Sequence, residues 1–210
     1  MLFWGYACKR VEQPLPIGPD YFPLQIGKFI TYSTQEITHN ASSESSDTAN
    51  FLIRKTVERS IQDGTKNIVY VIAVETSTDS GNSWNFIRYN TVKKDAYNVQ
   101  IVANDIRKVK LSFPFKERKT WDANQLNSSH YQRATLLNID KSNNVANKLF
   151  EYTATVELGN DEDLFFTDVE TEIYAKGIGL ILSKLIDLER QPGKYLQGKE
   201  HFNTIYETNW

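Results

Sequence analysis

Asp168, Glu170 and Glu172 stand two residues apart, so on an extended strand their carboxylates share one face. Asp161, Glu162 and Asp163 come just before them. Hard oxygen ligands crowded in this way suit calcium. The run has no EF-hand spacing, however, and Asn160 to Asp163 lacks the loop glycine, so the expectation is a solvated acidic strand and turn, with no metal site. His39, His130 and His201 are scattered, and none sits at metal-ligand spacing from another. There is no Gly-x-Ser-x-Gly elbow, and no histidine is spaced to activate the single cysteine, Cys8. The sequence therefore offers no catalytic residue and no cofactor site. Paired carboxylates from separate strands stay open, because glycosidic cleavage does not need them close in sequence. Trp84, Trp121 and Trp210, with Tyr89 and Tyr131, are rings that an exposed sugar platform would use, although core packing is their commoner fate in a β domain.

The elements that would position these groups are strands. Val109, Leu111, Phe113 and Phe115 alternate with Lys108, Lys110, Ser112 and Lys116. Phe150, Tyr152, Ala154, Val156 and Leu158 alternate with Glu151, Thr153, Thr155 and Glu157. Period-two patterning of this kind gives a strand with one dry and one wet face. Asn67 to Thr76 carries Ile-Val-Tyr-Val-Ile-Ala-Val, which predicts a strand buried on both faces. Residues 49 to 62 fit either a helical stripe or a strand face, with Asp63-Gly64 as a hairpin signal favouring the strand. Turns are expected at 79–82, 140–144, 159–163 and 191–193, and a polar loop over 38–48. Gly177 and Gly179 imply either a neighbouring ring over the backbone or a sharp bend. The fold class is all-β with little helix: an antiparallel meander of about ten strands forming a barrel-like or sandwich domain.

Of 210 residues, 24 are Lys or Arg and 26 are Asp or Glu, a formal charge of −2. A nucleic-acid partner would require a net basic footprint, so none is expected. Lys108, Lys110, Lys116 and Lys119 read as a solvated strand face. One cysteine permits no internal disulfide. Residues 1–7 form a short apolar stub ending in Ala7, directly before Cys8, like the tail of a lipoprotein signal in which the cysteine becomes the lipidated N-terminus. Gly5-Tyr6-Ala7-Cys8 departs from the usual lipobox by lacking a branched apolar residue at position 5. Residues 9–19 hold Pro14, Pro16 and Pro19 and read as an extended tether. A single β domain is expected over 20–210. No later segment has the roughly 18 apolar residues of a spanning helix, so membrane contact is expected only through the anchor.

Three phrases carry a resemblance. Asp20 to Tyr32 resembles a "YFPL-x-x-G-x-x-W-x-Y" opening. Val109 to Pro114 with Lys119 to Asn124 resembles "KL-x-FP … G-K-x-W-x-G-N". Glu172 to Leu180 resembles "E-x-YAKGVGLV". Together, over residues 20 to 190, they are similar to an uncharacterised group of Bacteroidetes-type secreted or envelope lipoproteins. This chain has Phe29-Ile30 where that pattern carries tryptophan, and Ala123 where it carries glycine. The resemblance implies an exported, envelope-located β domain and supports lipidation at Cys8, and it implies no catalytic residue. The leading reading is thus a non-enzymatic, envelope-associated binding domain for an apolar ligand, a glycan or a protein partner. The alternatives are a polysaccharide-acting hydrolase with carboxylates from separate strands, and a structural envelope component.

Overall fold

Alternation at period two is realised as twelve strands in one antiparallel sheet. The computed structural model describes residues 18–190 and 193–210, with side chains at 160–162 left aside. The strands are β1 (Phe29–Asn40), β2 (Ser45–Gln62), β3 (Ile68–Ser77), β4 (Asn85–Lys94), β5 (Asn98–Ala103) and β6 (Ile106–Ser112). They continue as β7 (Thr120–Asp122), β8 (Arg133–Val145), β9 (Lys148–Glu162), β10 (Phe166–Ala175), β11 (Gly179–Glu189) and β12 (Gln197–Thr208). Each strand pairs with its sequence neighbour except β6 with β7, and β12 returns to pair with β1. The meander therefore wraps into a nearly closed barrel whose seam lies between β6 and β7. A bond from Val109 N to Ala123 O (2.9 Å) and one from the Trp121 indole Nε1 to Val109 O (2.9 Å) hold that seam.

Trp121 is 8% exposed, so this indole bond is buried. Trp121→Phe is expected to leave the Val109 carbonyl without its partner and to cost about 1–3 kcal/mol, read as a lower midpoint in urea unfolding.

The dry faces meet inside as expected: Leu111, Leu136, Val156 and Leu158 are fully buried, and Phe113 is nearly so. Val71 to Val74 are all buried, which matches a strand covered on both faces. A second cluster gathers Val145 and Phe150 with Ala175, Ile181 and Ile205.

Several sequence expectations shift. Residues 49–62 are strand throughout, within β2. The polar stretch 38–48 is mostly ladder rather than loop: Thr38, His39 and Asn40 pair with Asp47, Ser46 and Ser45, which leaves a turn at Ala41–Glu44. Polar side chains do not prevent pairing when both strand faces at a barrel rim meet water. The turn expected at 140–144 falls instead at Ala146 and Asn147, both at positive φ (51° and 60°), as a two-residue hairpin of the primed type needs. Residues 159–162 belong to β9, whose register with β10 slips at the Leu158 step. Gly177 (φ 77°) and Gly179 (φ 108°) form the bend between β10 and β11 rather than a groove for a ring. Gly18 is buried, and a Cβ there would meet Phe115 at 2.6 Å. Cys8, the stub 1–7 and tether residues 9–17 lie outside the described residues, as do Gln191 and Pro192 of the expected 191–193 turn.

Candidate functional site

The acidic stripe on β10 does not face water as expected. Thr167, Val169, Thr171 and Ile173 occupy one side of the strand. Glu170, Glu172 and Tyr174 occupy the other, which turns inward. Glu172 is 4% exposed and Tyr174 fully buried. Lys110, expected on a solvated face, enters the same space and reaches both carboxylates, with Nζ 2.6 Å from Glu172 and 3.3 Å from Glu170. A bulge turns Lys110 inward. The β5–β6 register slips between Gln100 and Val99, so Lys110 is an extra residue that breaks the strict in–out order of the stripe. Asp168 alone of the three stays exposed. The other lysines of the stripe disperse: Lys108 donates to Gln132 (3.0 Å), and Lys119 donates to the Phe113 and Pro114 carbonyls.

Lys110, Glu172 and Tyr174 help bound a cavity of about 270 Å³ inside one end of the barrel. That end is shaped by three pieces distant in sequence. The segment Phe22–Leu24 follows a single 3-10 turn at Pro19–Tyr21, which Lys94 Nζ fastens by donating to the Pro19 and Phe22 carbonyls. The β10–β11 bend joins it through a bond from Gly177 N to Asp20 O (2.8 Å). The C-terminal Trp210 lies beside Lys28, whose Nζ donates to Asn209 O (2.6 Å). Leu24, Ile30, Ile72, Val92, Ile101 and Leu180 supply apolar wall. Gly179 suits this bend because its φ of 108° is one that side-chain-bearing residues rarely adopt, while Ile30 and Pro23 would make only ordinary contact with a Cβ there, at 3.6 and 3.8 Å.

The charged wall holds four cations and one carboxylate: Lys28, which donates to Asn209 O, with Lys55, Arg88, Lys110 and Glu172. Burial opposes the charge on Lys110, but Glu172 and Glu170 outweigh it and carry its pKa well above the ordinary lysine range. Burial likewise pushes Glu170 up, while Lys110, Lys108 and the Gln132 amide pull it further down, so it stays ionised. Burial raises Tyr174, and the Glu172 carboxylate that accepts its phenol proton at 2.5 Å raises it again. Burial also lifts Tyr32, whose hydroxyl donates to Leu180 O (2.9 Å).

Lys55 and Arg88 differ from Lys110. Neither pairs with a carboxylate among the described residues. Arg88 Nε donates only to the Asn90 side chain (3.2 Å), and the Lys55 ammonium rests 5.1 Å from the Tyr32 ring centroid. Burial lowers the Lys55 pKa to about 8; Glu172 opposes that shift, and Lys110 and Arg88 reinforce it. The unfolded chain therefore holds more protons than the folded one between about pH 8 and the ordinary lysine pKa of 10.5, and stability rises with pH across that window. Lys55→Met is expected to raise the pH 7 melting temperature and to flatten the melting-temperature profile between pH 8 and 10.5, measured by differential scanning fluorimetry.

Sequence reasoning missed Lys55, Arg88 and Lys110 as a group. A usable signal existed in β2, where Ile53-x-Lys55-x-Val57 places a cation inside an otherwise apolar face; β4 gives a weaker one, since Arg88-x-Asn90-x-Val92 puts two polar residues on the face that Val92 buries. The aromatic residues do not gather into one platform. Trp121 is buried at the seam and Trp210 borders the cavity. Trp84 lies on the outer wall against Arg54, with its ring centroid 3.9 Å from the guanidinium. Tyr89 and Tyr131 are exposed on the outside. His39 bonds Ser46 and Glu200, and His201 accepts from Asn203.

Fold and site together define a small antiparallel β-barrel with a mixed apolar and cationic cavity at one end. No protein-family model matches the chain, and no curated protein matches its sequence. Among solved structures, it is similar to a Bacteroides fragilis protein assigned as exported and described as having a YmcC-like fold. Identity is 12% with a TM-score of 0.50, over 90% of this chain and 98% of that one. At that identity the likeness speaks for the fold.

Proposed function

We propose that this chain is an exported, envelope-associated binding protein, not an enzyme, and that its barrel cavity holds a small, largely apolar molecule. The observation that carries this reading is the cavity itself: about 270 Å³, walled by side chains of Leu24, Ile30, Ile72, Val92, Ile101 and Leu180. A purely structural barrel would fill that volume with side chains. The size falls just under the ~300 Å³ at which drug-sized pockets begin, so the occupant is compact. Hydrolysis of a glycan is less well supported, because it needs two carboxylates on the substrate, and Glu172 is the one acidic side chain lining the space among the described residues. The lipoprotein-like stub before Cys8, the envelope-lipoprotein phrases and the exported Bacteroides neighbour support export, with the lipid on Cys8 as the only membrane contact.

Two measurements test this. Calorimetry with 1-octanol is expected to show saturable binding that Ile178→Trp abolishes by filling the cavity end. Absence of binding to the unaltered protein would contradict the reading. For the anchor, mass spectrometry of the protein from its native membrane is expected to find a diacylglyceryl Cys8 as the first residue. An unmodified Cys8 still preceded by Ala7 would end that part.

A further inference from the structure

We infer that the cavity selects an amphiphile with a single anionic head, a carboxylate, sulfate ester or phosphate diester, seated between Lys55 and Arg88, its tail against the apolar wall. This rests on the reading of the cavity as a ligand site and adds the chemistry of the ligand.

Register places the two cations together. Lys55 pairs with Val74, and Val74 pairs with Arg88, so the three share one row across β2, β3 and β4. Their backbones stand two strand spacings apart, roughly 10 Å, a span that two long side chains close around one headgroup. Lys110 plays a different part. Held by Glu172 and Glu170, it is already neutralised and acts as fixed wall. Lys55 and Arg88 have no such partner among the described residues, and uncompensated cations facing a low-dielectric space are costly. A natural core of this kind would replace them with apolar side chains unless something anionic came to them. Arg88 offers a planar fork for two oxygens and Lys55 a point charge beside it. Burial and the neighbouring Lys110 and Arg88 charges lower the Lys55 pKa, and an anion beside it would relieve both. Glu172 guards against dianions and, with the small volume, limits the head to one charge.

The groups facing Lys55 are Arg88 on β4, Lys110 on β6, Glu172 on β10, Tyr32 on β1 and His201 on β12. Of these, Lys55 is the one expected to lose its charge near pH 8, so anion affinity should fall as pH rises from 7 to 9.5 while the affinity of a neutral probe stays level.

The test is calorimetry on the intact protein with octanoate, octyl sulfate, 1-octanol, octylamine and inorganic sulfate. Octanoate and octyl sulfate are expected to bind at least tenfold more tightly than 1-octanol, the worth of one charge-assisted hydrogen bond. Octylamine is expected to be weakest. In Lys55→Met/Arg88→Met, shown folded by circular dichroism, that preference is expected to vanish while 1-octanol binds as before. Arg88→Gln alone serves if the double variant fails to fold, and is expected to lose most of the preference. Equal binding of 1-octanol and octanoate would overturn the anion seat and leave the apolar cavity reading intact. Inorganic sulfate binding as tightly as octyl sulfate would overturn the amphiphile. Silence with every probe would overturn both readings.

Discussion

Lys110→Ala is expected to destabilise the barrel by about 3–5 kcal/mol, the usual cost of removing one partner from a buried ionic group. The substitution leaves Glu170 and Glu172 in a space where the Lys110 ammonium, 3.3 Å from the first and 2.6 Å from the second, had bridged both. The pH dependence separates this effect from simple loss of packing. In the parent protein the folded state holds Glu170 below its ordinary pKa, so its contribution is present above pH ~4.5 and lost as pH falls through the lower folded value. In Lys110→Ala the Glu170 carboxylate is desolvated without that cation, its folded pKa rises, and stability is lost as pH increases. The deficit is therefore expected to be largest at pH 7 and above and to narrow toward pH 4. Urea unfolding at pH 4, 5.5 and 7 measures it. Lys110→Met combined with Glu170→Gln and Glu172→Gln is expected to recover much of the loss, since an apolar or neutral cluster avoids the desolvation of charge.

Gly198→Ala is expected to be comparably damaging for a wholly different reason. Gly198 lies in β12 at φ 133°, a conformation side-chain-bearing residues seldom hold, costing about 1–3 kcal/mol. An added Cβ would also fall 2.1 Å from the Asp187 carbonyl oxygen and 3.0 Å from Leu188 Cα, both backbone of the neighbouring β11. Neither atom can swing aside, so the β11–β12 ladder must open locally, at roughly another 1–3 kcal/mol. Since β12 joins β1, this strain falls on the element that closes the meander into a barrel. Hydrogen exchange is expected to show lost protection confined first to residues 182–189 and 197–204. Gly193→Ala is the control: it has positive φ (74°) but open space around the Cβ position, and is expected to cost less.

The fold was legible because its information is carried by period-two alternation, which survives without knowledge of partners. Val109, Leu111 and Val156 are buried as the pattern predicts. Alternation says that a residue faces one side, but not which side is inside, nor where a bulge inserts an extra residue. The alternation by itself therefore assigns Lys110 and Glu172 to the wet face, whereas both point inward. Each looks solvated by type, and the reason for their burial is the other, 62 positions away and eight strands round the barrel wall in the chain's pairing order. The turn at Ala146-Asn147 was missed in favour of Asp140 to Asn144 because the polar residues there suggest a turn, whereas the hairpin needs only two residues that tolerate positive φ. Strand β7, three residues long, is too short for any periodic signal and exists because Trp121 reaches across the seam. Barrel rather than sandwich depends on β12 returning to β1, a long-range pairing that no local pattern encodes.

The account depends on Lys55 and Lys110 both occupying the barrel interior, one without a carboxylate and the other held by two. Lysine-selective 13C–15N NMR titration of the side-chain ammonium groups tests this directly, with Lys55→Met and Lys110→Met supplying the assignments. The Lys55 signal is expected to titrate with a midpoint near 8, and the Lys110 signal to stay in its protonated form well past the ordinary lysine midpoint of 10.5. Two coincident titrations near 10.5 would place both ammonium groups in water and would contradict a charged cavity inside the barrel.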